Sequence, residues 1–381
     1  NYNLAVKINT IGTPMAGAAQ TGEERVSSDD LILPADGAAA GFYITNAYNT
    51  FIGNAASGGW AGFSFPNLPR PIGISRNVDI IPQARPTYIF NGNTAHSSGY
   101  SFSGGGCFYV GGLLQYDTTD TEMLRYSDGR YARPTVAYRN GPQAFMVFNN
   151  TKVWMCGLGI SHWGNSVEVT TLEAHETIRP VQLFGESWLD SALVNAKSAS
   201  LTQAQMGFQF YDTYVQTVLS NIVFRGFKAS VPPYDPTTDS EPYYWPDQRV
   251  ITSLIHSDHF KPQGISATKA ITFQNCDRSQ YIGHKNIETG ASRYFNFVDW
   301  DGSFGGTSGV PQIIGSGTQW WNYTKTCVWE NNWGLFRCPQ GSRVIINLDY
   351  IIPGLISLSD GDLGTSPSLY LGQTYLFGPG I

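Results

Sequence analysis

A short phrase echoes along this chain, an aromatic or branched apolar residue followed by a turn-former, and it constrains the fold more than any other feature. Ile89-Phe90-Asn91-Gly92-Asn93 resembles Val147-Phe148-Asn149-Asn150, and Val223-Phe224-Arg225-Gly226 and Thr272-Phe273-Gln274-Asn275 carry the same theme. A longer echo links Phe51-Ile52-Gly53-Asn54-Ala55-Ala56 to Phe90-Asn91-Gly92-Asn93-Thr94-Ala95. The phenylalanines are spaced by 58, 76 and 49 residues, near multiples of a unit of roughly 20–25 residues, the range of solenoid coils. Short strands would stack their Phe, Ile and Val inward on the next coil, with Asn and Gly turning the corners. A β-sandwich also has many short strands, but such an echo is not expected of it.

Composition agrees. Charged residues are 14% of 381, against about 25% in ordinary domains, and Gly is abundant at 42. Helical arrays need far more Ala, Glu, Lys and Leu. With 23 basic and 29 acidic residues and a net charge of −6, phosphate-driven nucleic-acid binding is excluded as a partner class. No run of 18 apolar residues occurs, so no membrane span is expected. The start Asn1-Tyr2-Asn3 reads as a mature terminus or a segment of something longer. Helical periodicity is nearly absent; the one candidate helix is near 188–206, around Trp188-Leu189-Asp190-Ser191-Ala192-Leu193-Val194, and it lacks a clean i, i+3, i+4 apolar stripe.

The fold expected is all-β: a parallel β-helix over 1–340, with a small β-rich cap over 341–381 that includes Arg343–Tyr350 and Ser368–Leu371. Loop excursions leave it near 114–134 and near 231–249, the latter with five prolines that cannot donate to a ladder. Five cysteines, Cys107, Cys156, Cys276, Cys327 and Cys338, suit two disulfides and one thiol. Cys327 and Cys338, ten residues between them, are the favoured bridge, and the partners of the other three stay open. Sequons begin at Asn149 and Asn322. Low charge and these sequons favour an extracellular or cell-surface glycoprotein.

At Phe297-Val298-Asp299-Trp300-Asp301-Gly302-Ser303 the chain resembles the D-x-D-G-S signature of the fibrocystin and cell-surface hyaluronidase group, large extracellular G8-domain proteins with β-helix repeats. Asn46–Gly62, Phe90–His96 and the cysteine pair with Trp329 and Trp333 follow in the same order. The resemblance covers roughly 35–340 and implies a parallel β-helix outside the cell, with hyaluronidase-like cleavage as an implied activity. No G8 domain is recognisable here, nor can the acidic and basic residues of such cleavage be placed.

Candidate chemistry is sparse. Asp299 and Asp301, two apart on a strand, would share a face and could bind Ca²⁺ or act as acid and base. The favoured reading is that they cap a turn through backbone N–H groups. His256, Asp258 and His259 form the densest titratable cluster, a catalytic candidate or a polar loop. His96 reads as a packed or stacked ring. A glycosidase needs two convergent carboxyls, for which Asp212, Glu186, Asp190, Asp258 and Asp299 are available. Tyr243, Tyr244 and Trp245, Trp320 and Trp321 beside Tyr323, and Trp329 with Trp333 offer flat rings among neutral polar residues. They suit sugars or a partner protein, or they cover coil edges. No cofactor is otherwise expected.

The function expected is a structural or adhesive module contacting glycans or neighbouring copies in a surface assembly. The alternative is an endo-acting, hyaluronidase-like glycosidase.

Overall fold

The computed structural model describes residues 1–8, 39–71, 73–99, 105–116, 124–127, 145–162, 166–184, 186–198, 205–211, 217–229, 248–253, 266–283, 296–315, 321–323, 327–339 and 344–346. Two long sheets run through them. In one, Leu4–Ile8, Ala55–Gly58, Thr94–His96, Met146–Trp154, Ser166–His175, Glu186–Asn195, Thr217–Arg225, Ala267–Gln274 and Asn296–Asp299 lie side by side, all parallel. In the other, Ala40–Tyr43, Ala61–Asn67, Gly106–Tyr116, Leu158–His162, Arg179–Phe184, Gln205–Tyr211, Gln248–Ser253 and Ile282–Gly283 do the same. The chain alternates between the sheets, one strand of each per coil. This is a parallel β-helix.

The echoes turn out to be stacked neighbours. Phe51 pairs with Phe90 and Asn91 with Asn149, while Phe224 pairs with Phe273. The unadorned coil is short: Met146 lies opposite Val167, 21 positions on, and Ser166 opposite Glu186, 20 positions on. Longer spacings are the same coil with an inserted loop. The 76-residue spacing is different, because Phe148 stacks in the row of Val169 and Leu189, whereas Phe224 stacks in the row of Val194 and Ala174. Those rows lie on opposite sides of a corner.

That corner is written in the backbone. Tyr2, Gly53, Gly92, Asn150, Thr171, Ser191, Asn221 and Ala270 occupy one position on successive coils, and all have φ between 49° and 67°. Each bends its strand into two arms. A second left-handed column, five residues on, includes Gly58, Ser97, Met155, Glu176, Gly226 and Asn275. L-residues with a Cβ pay roughly 1–2 kcal/mol there, Asn less, and a β-branched residue fits worst. Thr171, exposed at φ 54°, is the costliest of the first column. Thr171→Gly is expected to raise stability by about 1 kcal/mol, read as a higher urea midpoint. An unchanged or lower midpoint would show that this corner is not left-handed.

The corner also explains why the candidate helix at 188–206 is instead the strand Glu186–Asn195. Leu189 points in, Ser191 turns the corner, and Ala192 and Val194 point in again. Alternation with one phase reset places apolar residues three apart, as a helix would.

Inside, rings stack coil upon coil. Phe42, Phe63 and Phe108 lie parallel at 4.5 and 4.8 Å, and Phe90 meets Phe148 edge-on at 4.9 Å. The inward position after the first corner starts as an amide ladder that is buried from Asn54 on: Asn3 Nδ2 donates to Asn54 Oδ1 (3.0 Å) and Asn54 Nδ2 to Asn93 Oδ1 (2.8 Å). It then turns apolar with Leu172, Ala192, Ile222 and Ile271.

Of the excursions, the first begins as a hairpin, Leu124–Ser127 folding back antiparallel on Gly106–Tyr116. Residues 230–247 of the second lie outside the described residues. At the far end, antiparallel pairing starts before residue 341, with Gln312–Gly315, Leu335–Pro339 and Val328–Glu330 added to the parallel stack. Val344–Ile346 pairs antiparallel with Trp321–Tyr323; residues 347–381 are outside the described set.

Candidate recognition face

Strand register aligns outward residues as strictly as inward ones. On the arm after the first corner, one outward row reads Ser57, His96, Trp154, His175, Asn195, Arg225 and Gln274. Its neighbour reads Leu4, Ala55, Thr94, Lys152, Glu173, Leu193, Val223 and Thr272. The centre of the first row is a stack of flat groups. The His96 ring lies on the Trp154 indole at 4.5 Å and 14°. His175 Nδ1 meets Asn195 Nδ2 at 2.7 Å, and Arg225 Nε donates to Gln274 Oε1 at 2.9 Å. Alongside, Lys152 Nζ and the Glu173 carboxylate pair at 3.2 Å, both nearly half exposed, as is His175. With both side chains nearly half exposed, this bridge contributes little to stability; its two charges offset each other.

The arm before the corner carries a hydrogen-bonded row. Asn149 Nδ2 donates to Asn91 Oδ1 (3.0 Å), and Thr170 Oγ1 to Asn149 Oδ1 (2.9 Å). Further along, Asp190 accepts from Ser220, Ser191 and Asn221. Burial pushes its carboxyl upward, but those three donors outweigh it and hold it below the usual carboxylate value. Asp190 is thus an ionised ladder member. Asn149 has both amide atoms engaged in this ladder, and Thr151 of its sequon is fully buried. Asn322 lies within the strand Trp321–Tyr323.

The D-x-D-G-S segment ends the parallel stack. The strand stops at Asp299 and the chain turns at Trp300, so the two carboxylates do not share a strand face. Asp301 sits where the next coil's corner would be, and its Oδ2 accepts the Ala270 N–H at 2.8 Å. Ser303 Oγ accepts the Ile271 N–H at 2.8 Å and itself donates to Asp301 Oδ1. Burial raises the Asp301 carboxyl, but Ser303 and Ala270 outweigh it and lower the net value. Asp299 is fully buried and accepts from Gly305 N (2.8 Å), Phe304 N (3.3 Å) and Thr268 Oγ1 (3.2 Å). These side chains satisfy N–H groups that no further coil would meet. Both carboxylates are thereby engaged by donors, the arrangement of a turn cap.

Of the remaining expectations, Tyr243, Tyr244, Trp245, His256, Asp258, His259 and Trp320 lie outside the described residues, and Trp321 is described only as strand backbone. Trp333 is buried, donating Nε1 to Arg278 O at 2.8 Å, while Trp329 is 42% exposed. Cys327–Cys338 is a disulfide, as favoured; Cys107–Cys156 is a second, and Cys276 is free. Among the described residues no group of three His, Cys, Asp or Glu could hold a metal, and no helix is long and apolar enough to cross a membrane.

His96 was legible as a stacked ring; the row it belongs to was not. Trp154, His175 and Asn195 differ in type and have no common motif, and only register aligns them.

Known proteins bear on the same architecture. The family model described as CEMIP beta-helix matches residues 1–102. A G8 domain-containing protein of Dictyostelium discoideum is 48% identical over 390 residues, across the whole of this chain and 27% of its own length. Protein rliB of the same organism is 48% identical over 395 residues, and Communication mutant protein F is 46% identical over 396, each match covering this chain entirely and 34% of the relative. The chain spans about a quarter to a third of the length of these curated relatives. In-register coils, the D-x-D-G-S terminator and these matches agree: the chain is a parallel β-helix similar to that of G8/CEMIP-type proteins.

Proposed function

We propose that this β-helix is an extracellular recognition module that contacts glycans along the outward row centred on His96, Trp154, His175 and Asn195. Two disulfides and the family suit an oxidising, extracellular or secreted setting. The observation that carries the reading is the His96–Trp154 stack continuing, coil by coil, into partly exposed imidazole and amide groups. Apolar ring faces pack against sugar C–H groups, and adjacent amides and imidazoles exchange hydrogen bonds with hydroxyls. Strands about 4.7–4.9 Å apart repeat at a step comparable to one sugar of an extended chain.

Binding of the purified chain to an array of linear oligosaccharides tests this. Trp154→Ala is expected to weaken the best ligand at least tenfold, about 1.4 kcal/mol, with the fold unchanged by circular dichroism. Equal binding by the variant, or no bound glycan in the array, would overturn the proposal. Product sizes in the same mixtures report the hyaluronidase-like alternative; depolymerisation would favour it.

A further inference from the structure

One buried acceptor near the end of the stack has no partner. Gln312 is directly opposite Asp299 in the antiparallel pair that opens the cap, and it is 1% exposed. Its Oε1 is buried without a hydrogen-bond donor. That oxygen lies so close to Gly305 that a Cβ there would collide with it. Gly305 N in turn donates to Asp299 Oδ2. An orphan acceptor and a buried carboxyl thus flank one glycine.

We propose that Asp299 and Gln312 form a proton-dependent pair, in which the acid form of Asp299 donates to Gln312 Oε1 and locks the 300–306 turn onto the antiparallel cap. Orphan buried acceptors are costly, and the acid form of Asp299, directly opposite in the strand pair, would offer this one a donor. The N–H bonds from Phe304 and Gly305 survive protonation, because carboxylic-acid oxygens still accept.

Burial raises the Asp299 carboxyl to about 6, against its hydrogen bonds from Gly305, Phe304 and Thr268, and the Asp301 charge adds to the rise. Other charges at the turn come from neighbouring elements. Arg278 Nη1 donates to Gly305 O at 2.9 Å and its Nη2 pairs with Glu330. Arg337 Nε also pairs with Glu330, at 2.7 Å. This network ties the turn to the Cys327–Cys338 hairpin. Because the folded value lies above the unfolded one, the stabilisation is complete below about pH 4 and is lost as pH rises through about 6.

Hydrogen exchange of the intact chain at about pH 5 and about pH 7.5, corrected for intrinsic rates, tests the pair. The Phe304 and Gly305 amides should be about tenfold better protected at the lower pH. Asp299→Asn and Gln312→Leu should each abolish that difference, and Asp301→Asn should keep it. Equal protection at both pH values in the unaltered chain would overturn the proposal. So would a larger pH effect in Gln312→Leu, which would mean that the glutamine donates to the carboxylate. If Asp299→Asn fails to fold, carbon-13 titration of the Asp299 carboxyl decides: a midpoint near 6 supports the pair, one at or below the ordinary carboxylate value sinks it.

Discussion

Replacing Phe90 with alanine should cost about 3–5 kcal/mol, the range for emptying a fully packed aromatic site. Phe90 is 3% exposed and meets five rings: Phe51, Phe63, Phe65, Phe108 and Phe148, at centroid distances from 4.9 to 6.1 Å. These come from both sheets and from the coils before and after it, so the site cannot close by moving one strand. Each coil of a solenoid is held only by its neighbours, and a cavity there weakens two interfaces at once. Urea unfolding should show a midpoint shift of that size. A loss below about 1 kcal/mol would mean that the aromatic stack is looser than the close packing usual in cores.

The second large effect lies in the disulfides. Cys107 follows Gly106 in one sheet, Cys156 follows the strand Met146–Trp154 of the other, and 49 positions separate them. Their bridge closes a loop that contains the first excursion. By loop-closure entropy, a ring of that size stabilises by about 4 kcal/mol. The Cys327–Cys338 bridge, separated by 11 positions, closes a smaller loop and contributes less by the same argument. Cys107→Ser with Cys156→Ser should therefore lower stability by about 4 kcal/mol, roughly 1 kcal/mol more than the Cys327/Cys338 double variant. Equal losses from the two would contradict the loop-length account.

How much was legible beforehand follows from what a sequence encodes locally. The echoes around Phe51, Phe90, Phe148, Phe224 and Phe273 were readable because stacked coils impose like residues at like positions, and register confirms three of those pairings. The 76-residue spacing and the candidate helix failed together, since neither a spacing nor a local pattern shows a left-handed corner at Ser191 or Asn150. Asp299 and Asp301, two positions apart, were readable as the caps of a turn. That the turn supplies acceptors to Ala270 and Ile271 of the previous coil became visible only with the coils in place. Cys107 and Cys156 stayed unassigned because 49 residues of chain separate atoms that the coil brings together. The outward row was hidden for the same reason: His96, Trp154, His175 and Asn195 become neighbours only through pairing across four coils.

The functional claim rests on that row, and NMR reads it without assuming which residues matter. With an oligosaccharide chosen from the array, the Trp154 indole and the His96, His175 and Asn195 side-chain resonances should shift together and saturate at one affinity. Shifts confined to other tryptophans, with these four unmoved at saturation, would contradict the account.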